Sequence, residues 1–183
     1  MWSIILNNRP LSFVIKVNLD SLNVHCRVGF MKMSLRGEYA LRALIVLGLN
    51  YGRHVVPIQS ISDQQNIPKR FLEQILNELK SVGFVESKRG VAGGYRLRLP
   101  PEQITLAAVI RQIEGPLAPV SCVSTRFYER CSCPSEAKCA IRSVMKEVRD
   151  AIATVLEQVT VAQLCDRSRQ LQGEQLNPFD YVI

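Results

Sequence analysis

Residues 67–99, IPKRFLEQILNELKSVGFVESKRGVAGGYRLRL, constrain the fold of this chain more than any other stretch. Phe71, Leu72, Ile75, Leu76 and Leu79 recur at steps of one, three and four, which predicts a helix with all five on one face. Pro68 suits its first position and Gly83 the residue just past its end. Phe84 and Val85 open an extended run. Gly90, Gly93 and Gly94 let the chain turn back, and Tyr95, Leu97 and Leu99 then alternate with Arg96 and Arg98. Seven Lys or Arg stand against three Glu over these residues. A helix followed by a short basic hairpin is the recognition helix and wing of a winged helix-turn-helix, with double-stranded DNA as the expected partner. A small α+β corner with a solvated basic face is the plainer alternative.

The formal charge of +7 supports the sharper reading because of where it lies. Residues 31–100 carry a net +6, residues 101–165 are neutral, and residues 166–183 carry −1. A polyanionic partner requires that concentration of charge. No run approaches the roughly 18 apolar residues of a membrane span, so no membrane partner is expected. The chain has six cysteines and an N-terminus that makes a poor signal peptide, which points to reduced thiols, metal ligands or redox chemistry in the cytoplasm.

Residues 1–30 do not share the design of the rest and read as an N-terminal extension. Met31-Lys32-Met33-Ser34 looks like a start, so initiation at Met31 or Met33 is one expectation and a genuine arm the other. Ser34 can cap a helix to about Leu49 whose apolar residues leave little polar face. Pro57 opens a short helix from Ile58 to Gln65, anchored by Ile61, and Asn66-Ile67-Pro68 turns into the recognition helix. Pro100-Pro101 end the hairpin, so the DNA-binding domain is expected over 31–99. Thr105 caps a helix through Ile113, which Gly115-Pro116 stop.

Residues 116–138 form a long loop holding Cys122, Cys131 and Cys133, with Cys139 at its exit. The spacing C-x8-C-x-C-x5-C gathers soft thiolate donors on irregular backbone, as an iron–sulfur cluster requires. Zinc is less favoured, because a paired C-x2-C knuckle is absent. Loop cysteines without a ligand role, or a redox-labile pair, remain alternatives. Cys26 and Cys165 read as packing residues. Beyond the loop, Ile141, Met145, Val148, Ile152, Val155 and Val159 step by four and three, a seam with a 3.5-residue repeat. A second copy of the same helix is its expected cover, making the chain a homodimer. Residues 100–165 thus hold the cysteine loop and dimerisation helices. Thr160 caps one more turn to Cys165, and 166–183 read as a flexible tail. The fold expected is mostly α with a small β wing: a winged helix-turn-helix plus a long C-terminal dimerisation helix. Only two histidines are present, and no catalytic motif appears, so an enzyme is not expected.

From Met31 to about Cys165 the chain resembles the bacterial Rrf-type winged-helix transcriptional regulators, the IscR, NsrR and CymR-like family. MKMSLRGEYALRAL, FLEQILNELKSVGFVESKRG, GGYRL, ITLAAVIRQIEGPLAPVSC and the cysteine loop carry the resemblance. It implies a homodimer on a palindromic operator, sensing redox state, iron or nitric oxide through a 2Fe-2S or 4Fe-4S cluster. A clusterless regulator of the same fold, working by thiol oxidation or a partner protein, is the alternative. Carried over by position, Cys122, Cys133 and Cys139 would be ligands and Cys131 an extra thiol. IscR-like members place a histidine three residues after the last cysteine. Here that residue is Arg142, which stays protonated and cannot ligate. Other family members borrow a carboxylate from the first helix of the partner subunit, and Glu38 is the matching residue; Glu38, Cys131 or an external small molecule are the candidates for the fourth place. The resemblance also places Lys69, Arg70, Glu73 and Gln74 of the recognition helix, and Lys88, Arg89, Gly93, Gly94 and Tyr95 of the wing, at the DNA.

Overall fold

The structure, a computed structural model, describes residues 33–90 and 92–174. The expectations for residues 1–30, for the Met31 start, for Cys26 and for residues 175–183 lie outside the described residues.

Ser34 caps α1 (Leu35–Leu49), its hydroxyl accepting from the Gly37 N–H at 3.2 Å. Glu114 accepts from both the Ser34 hydroxyl, at 2.5 Å, and its backbone N–H. The near-continuous apolar sequence of α1 has its reason in its neighbours. Helices α2 (Ile58–Gln65), α3 (Lys69–Ser81), α4 (Leu106–Ile113) and α6 (Val161–Glu174), and strand β2 (Gly94–Leu97), all pack on it. Ala40, Ala43, Leu44, Val46 and Leu47 are buried, so α1 is the central rod of the fold.

The α2–α3 turn runs through Asn66 in the left-handed region, φ 49°. The Arg42 guanidinium donates to the Gln65 carbonyl, where the α2 dipole is negative, and fixes the turn against α1. Ser62 closes it from the other side, donating to the Ile67 carbonyl at 2.7 Å. Pro68 is the cap of α3, and Gly83 follows with φ 83°. Leu72, Ile75, Leu76 and Leu79 are buried as expected, but Phe71 is 57% exposed. With roughly 100° between successive helical residues, Phe71 lies just outside the arc the other four define.

Strands β1 (Val85–Lys88) and β2 pair antiparallel, Val85 opposite Leu97 and Lys88 opposite Gly94. Val56 and Tyr95 exchange backbone hydrogen bonds at 2.8 and 2.9 Å, which ties this hairpin to the segment before α2. Among the described residues the result is mostly helical with one small sheet, a winged helix-turn-helix.

Thr105 caps α4, its hydroxyl accepting from Ala108 N–H. α5 (Ala140–Gln158) follows the long loop. The last element departs from the sequence expectation. α6 runs fourteen residues, so 166–174 continue a helix rather than begin a tail. Among the described side chains of α6, Val161 and Cys165 alone are buried, too few to make a periodic signal, and Cys165 seats beside Gly48 of α1.

Candidate nucleic-acid interface and cysteine loop

The residues expected at DNA lie on the outward face of α3 and on the hairpin that follows it. Lys69 and Arg70 are exposed in the first turn of α3, and Glu73 and Gln74 are exposed on the next. Their neighbours Leu72, Ile75 and Leu76 anchor the opposite face, so the polar face is held outward. Lys88 and Arg89 are exposed at the end of β1, and an open groove joins them with Gly93, Gly94 and Tyr95 to Pro57 and Ile58 at the start of α2.

The wing glycines act differently from the sequence expectation. Of the three, only Gly90 has positive φ, at 109°. Gly93 is needed for space: a Cβ there would lie 2.7 Å from the Gly90 and Lys88 carbonyl oxygens. Gly94 allows the close approach of the Val56 backbone. Phe71, missed as a surface group, borders an apolar groove with Leu35 and Tyr39 of α1.

The cysteine loop lies between α4 and α5. Two short 3-10 turns, Ser121–Val123 and Glu136–Lys138, bring its ends together. Cys122 is buried. Cys133 Sγ stands 3.5 Å from Cys139 Sγ. Cys131 interacts with both Cys122 and Cys133, and its Sγ lies 3.8 Å from Glu136 Oε1. The four thiols therefore form a row, with Cys131 inside it.

Burial pushes the Cys122 thiol up, and the neighbouring Cys131 adds to that. Cys133 is pushed up to about 12 because it shares hydrogen bonds with Cys131 and Cys139. Cys139 moves the other way. It caps α5, accepting from the Arg142 N–H at 3.4 Å, and that bond, with the Cys133 thiol, holds it below the ordinary thiol value. Tyr128 donates to both oxygens of Glu136, at 2.8 and 2.7 Å, keeping that carboxylate ionised to lower pH.

Arg142 occupies the place of the expected histidine. Its Nε donates to the Cys122 carbonyl at 3.2 Å and so braces the loop. Glu38 pairs with Arg42 on α1 at 3.2 Å. No three His, Cys, Asp or Glu side chains among the described residues converge tightly enough to hold a single metal ion.

α5 carries no buried residue over nineteen. Of the seam, Ile141 and Val155 are 68% and 60% exposed, and Met145, Val148, Ile152 and Val159 are half-buried. Val144, outside the expected seam, adds to the exposed apolar surface.

A helix-turn-helix with an outward polar recognition face and a basic wing defines a DNA-binding protein. A family model described as Rrf2, iron-dependent transcriptional regulator, matches residues 33–167, and the chain belongs to that family. It is 37% identical over 131 residues to an Rrf2-like HTH-type transcriptional regulator of Rhodobacter capsulatus, covering 69% of this chain and 87% of that one. The solved structure of CymR, the global cysteine regulator of B. subtilis, superimposes with TM-score 0.64 at 33% identity, covering 75% of this chain and 98% of that one. IscR of T. potens gives 0.63 at 27% identity, covering 78% and 91%. The chain is a transcriptional regulator, not an enzyme. No helix among the described residues is long and apolar enough to cross a membrane.

Proposed function

We propose that the chain acts in the cytoplasm as a homodimer that reads a palindromic operator and carries an iron–sulfur cluster on its cysteine loop. The observation behind the sensor is the row of four thiols at the start of α5, with a backbone N–H donor on Cys139 and a guanidinium at the loop backbone. The donor set fits such a group. Thiolates are its usual ligands. Cys122, Cys133 and Cys139 would hold it. Cys131 is the fourth-place candidate supplied by the same loop, next to Cys122 and Cys133, whereas Glu38 would have to come from the partner subunit. When bound, a cluster changes charge or ligation on oxidation, nitrosylation or loss. The chain's own part is to hold the loop against α5, so that a change in the loop reaches the dimer seam. Lys69 and Arg70 would meet phosphates or base edges, Glu73 and Gln74 would tune base choice, and Lys88, Arg89 and the Gly93-Gly94-Tyr95 turn would seat the wing.

Anaerobic purification with iron and sulfide counts tests the reading. Visible absorbance with both elements supports it, and Cys122→Ser, Cys133→Ser and Cys139→Ser should each lose most of the iron. Cys131→Ser retaining full iron would return the fourth place to Glu38 or an external ligand. One observation favours a second reading: the 3.5 Å approach of Cys133 and Cys139 suits a dithiol switch. Protein without iron or sulfide, whose operator affinity changes reversibly with a thiol oxidant, would establish that one.

A further inference from the structure

A cavity lies against residues 124–127 of the cysteine loop. It has a volume of about 300 Å³ and is walled by the end of α4, the loop, and one stripe of α5. Its apolar wall includes Leu117, Phe127 and Ala153. Phe127 is 62% exposed, a large apolar ring with no core to fill. The polar lining is unevenly matched. Arg111 pairs with Glu157 and Arg149 with Asp150, each at 2.5 Å, so two cations are already neutralised. Arg126 makes no ion pair among the described residues and is the charge left over. Ser124 is buried beside it, its oxygen accepting from the Phe127 N–H at 3.0 Å while its own proton is free to be donated.

We infer that this cavity binds a small organic monocarboxylate, its carboxylate on Arg126 and Ser124 and its apolar body against Phe127, Leu117 and Ala153. The volume lies at the small end of ligand pockets, which suits a compact acid. A guanidinium presents the planar donor fork that a carboxylate matches. The α5 stripe facing the cavity, Arg149, Ala153 and Glu157, is turned by about 100° or more from the Val148–Ile152 seam, so covering the seam leaves the cavity open.

Occupancy would be felt by the cysteines through covalent neighbours. Arg149 lines the cavity and also donates to the Val123 carbonyl at 2.6 Å, one residue from Cys122. On the other side, Phe127 precedes Tyr128, which holds Glu136 beside Cys131. A bound acid would therefore stiffen both ends of the segment that carries the first two thiols.

The test uses the full chain and calorimetry, and reads neither DNA nor iron. The probes are benzoate, 3-phenylpropanoate and hexanoate, each against its own amide. At least one acid should bind one per chain, tenfold or more tighter than its amide. Arg126→Ala should bring that acid down to its amide, and Ala153→Trp should remove both by filling the cavity. Hydrogen exchange should slow at 123–128 on binding; as a local readout it stands even if Ala153→Trp fails to fold. Absence of binding by all three acids, equal affinity of acid and amide, undiminished affinity in Arg126→Ala, or protection elsewhere in the chain would each overturn the assignment.

Discussion

Helices α3 and α5 have similar sequence patterns and opposite fates. Each carries an apolar stripe at helical spacing. In α3, Leu72, Ile75, Leu76 and Leu79 are all buried by the chain's own core. In α5, longer by six residues, none is. The first helix is finished within one chain, and the second is left uncovered by it. Periodicity announces that a face will be covered, and it is silent on whether the cover belongs to the same chain. The division also suits the proposed work, since a reading head packed within one chain is joined to a segment whose apolar face is free for a partner copy.

The largest effect should come from removing what finishes α3. Leu76→Ala is expected to cost about 2–5 kcal/mol, seen in urea unfolding as a lower midpoint at every protein concentration. Ile152→Glu should leave each chain folded and instead dissociate the dimer, read by sedimentation at low micromolar concentration. A dimer that survives Ile152→Glu would break the contrast and move the interface elsewhere. Gly94→Val comes next, because the new side chain meets the Val56 backbone. The wing should detach and operator affinity fall at least tenfold, with helix content by circular dichroism little changed.

The helix N-termini sharpen the contrast further. α3 offers free cations there, while α5 is capped by a thiol. In reduced, metal-free protein, Cys139 should be the first loop cysteine alkylated by iodoacetamide. Its depressed value keeps it a thiolate to lower pH, so its rate profile should inflect below that of a free thiol. Cys133, raised to about 12, should stay protonated and slow across the same range. Peptide mapping along a pH series would show the order, and a reversed one would refute the capping assignment. The smallest effect is expected from Arg89→Ala. Its loss from both wings of a dimer should flatten the salt dependence of binding by about 0.9 per phosphate contact, measured by fluorescence anisotropy at several ionic strengths. An unchanged slope would remove Arg89 from the phosphate backbone.

What the sequence revealed depended on range. The bounds of α1 and α2, the buried arc of α3 and the Ser34 and Thr105 caps rest on residues a few positions apart, and the local pattern states them. Phe71 was misplaced because it sits at the rim of that arc, where only the neighbouring α1 surface decides burial. The reason for Gly94 is the Val56 backbone, nearly forty positions away, which no local rule can see. α6 was underestimated because its outer positions are polar and it needs only Val161 and Cys165 as anchors. Among the candidate site residues, spacing gathered the cysteines onto one loop. It could not say that Cys131 would turn toward Cys122 as well as Cys133, since that depends on the path of the chain between the two 3-10 turns.

The contact between Cys165 and Gly48 has a consequence for how the protein is made. Cys165 Sγ lies so close to α1 that a methyl group on Gly48 would stand 2.6 Å from it. The inner face of the first helix therefore waits for nearly the last helix to be translated. At roughly 5–20 residues per second of synthesis, that face stays uncovered for on the order of ten seconds. A nascent chain halted after the wing would hold a complete recognition helix on an unfinished scaffold, leaving the Ile45 and Gly48 side of α1, which Cys165 covers, open to chaperones or to other nascent chains. A product that stops before α6 should therefore be digested faster by a protease than the chain that contains it.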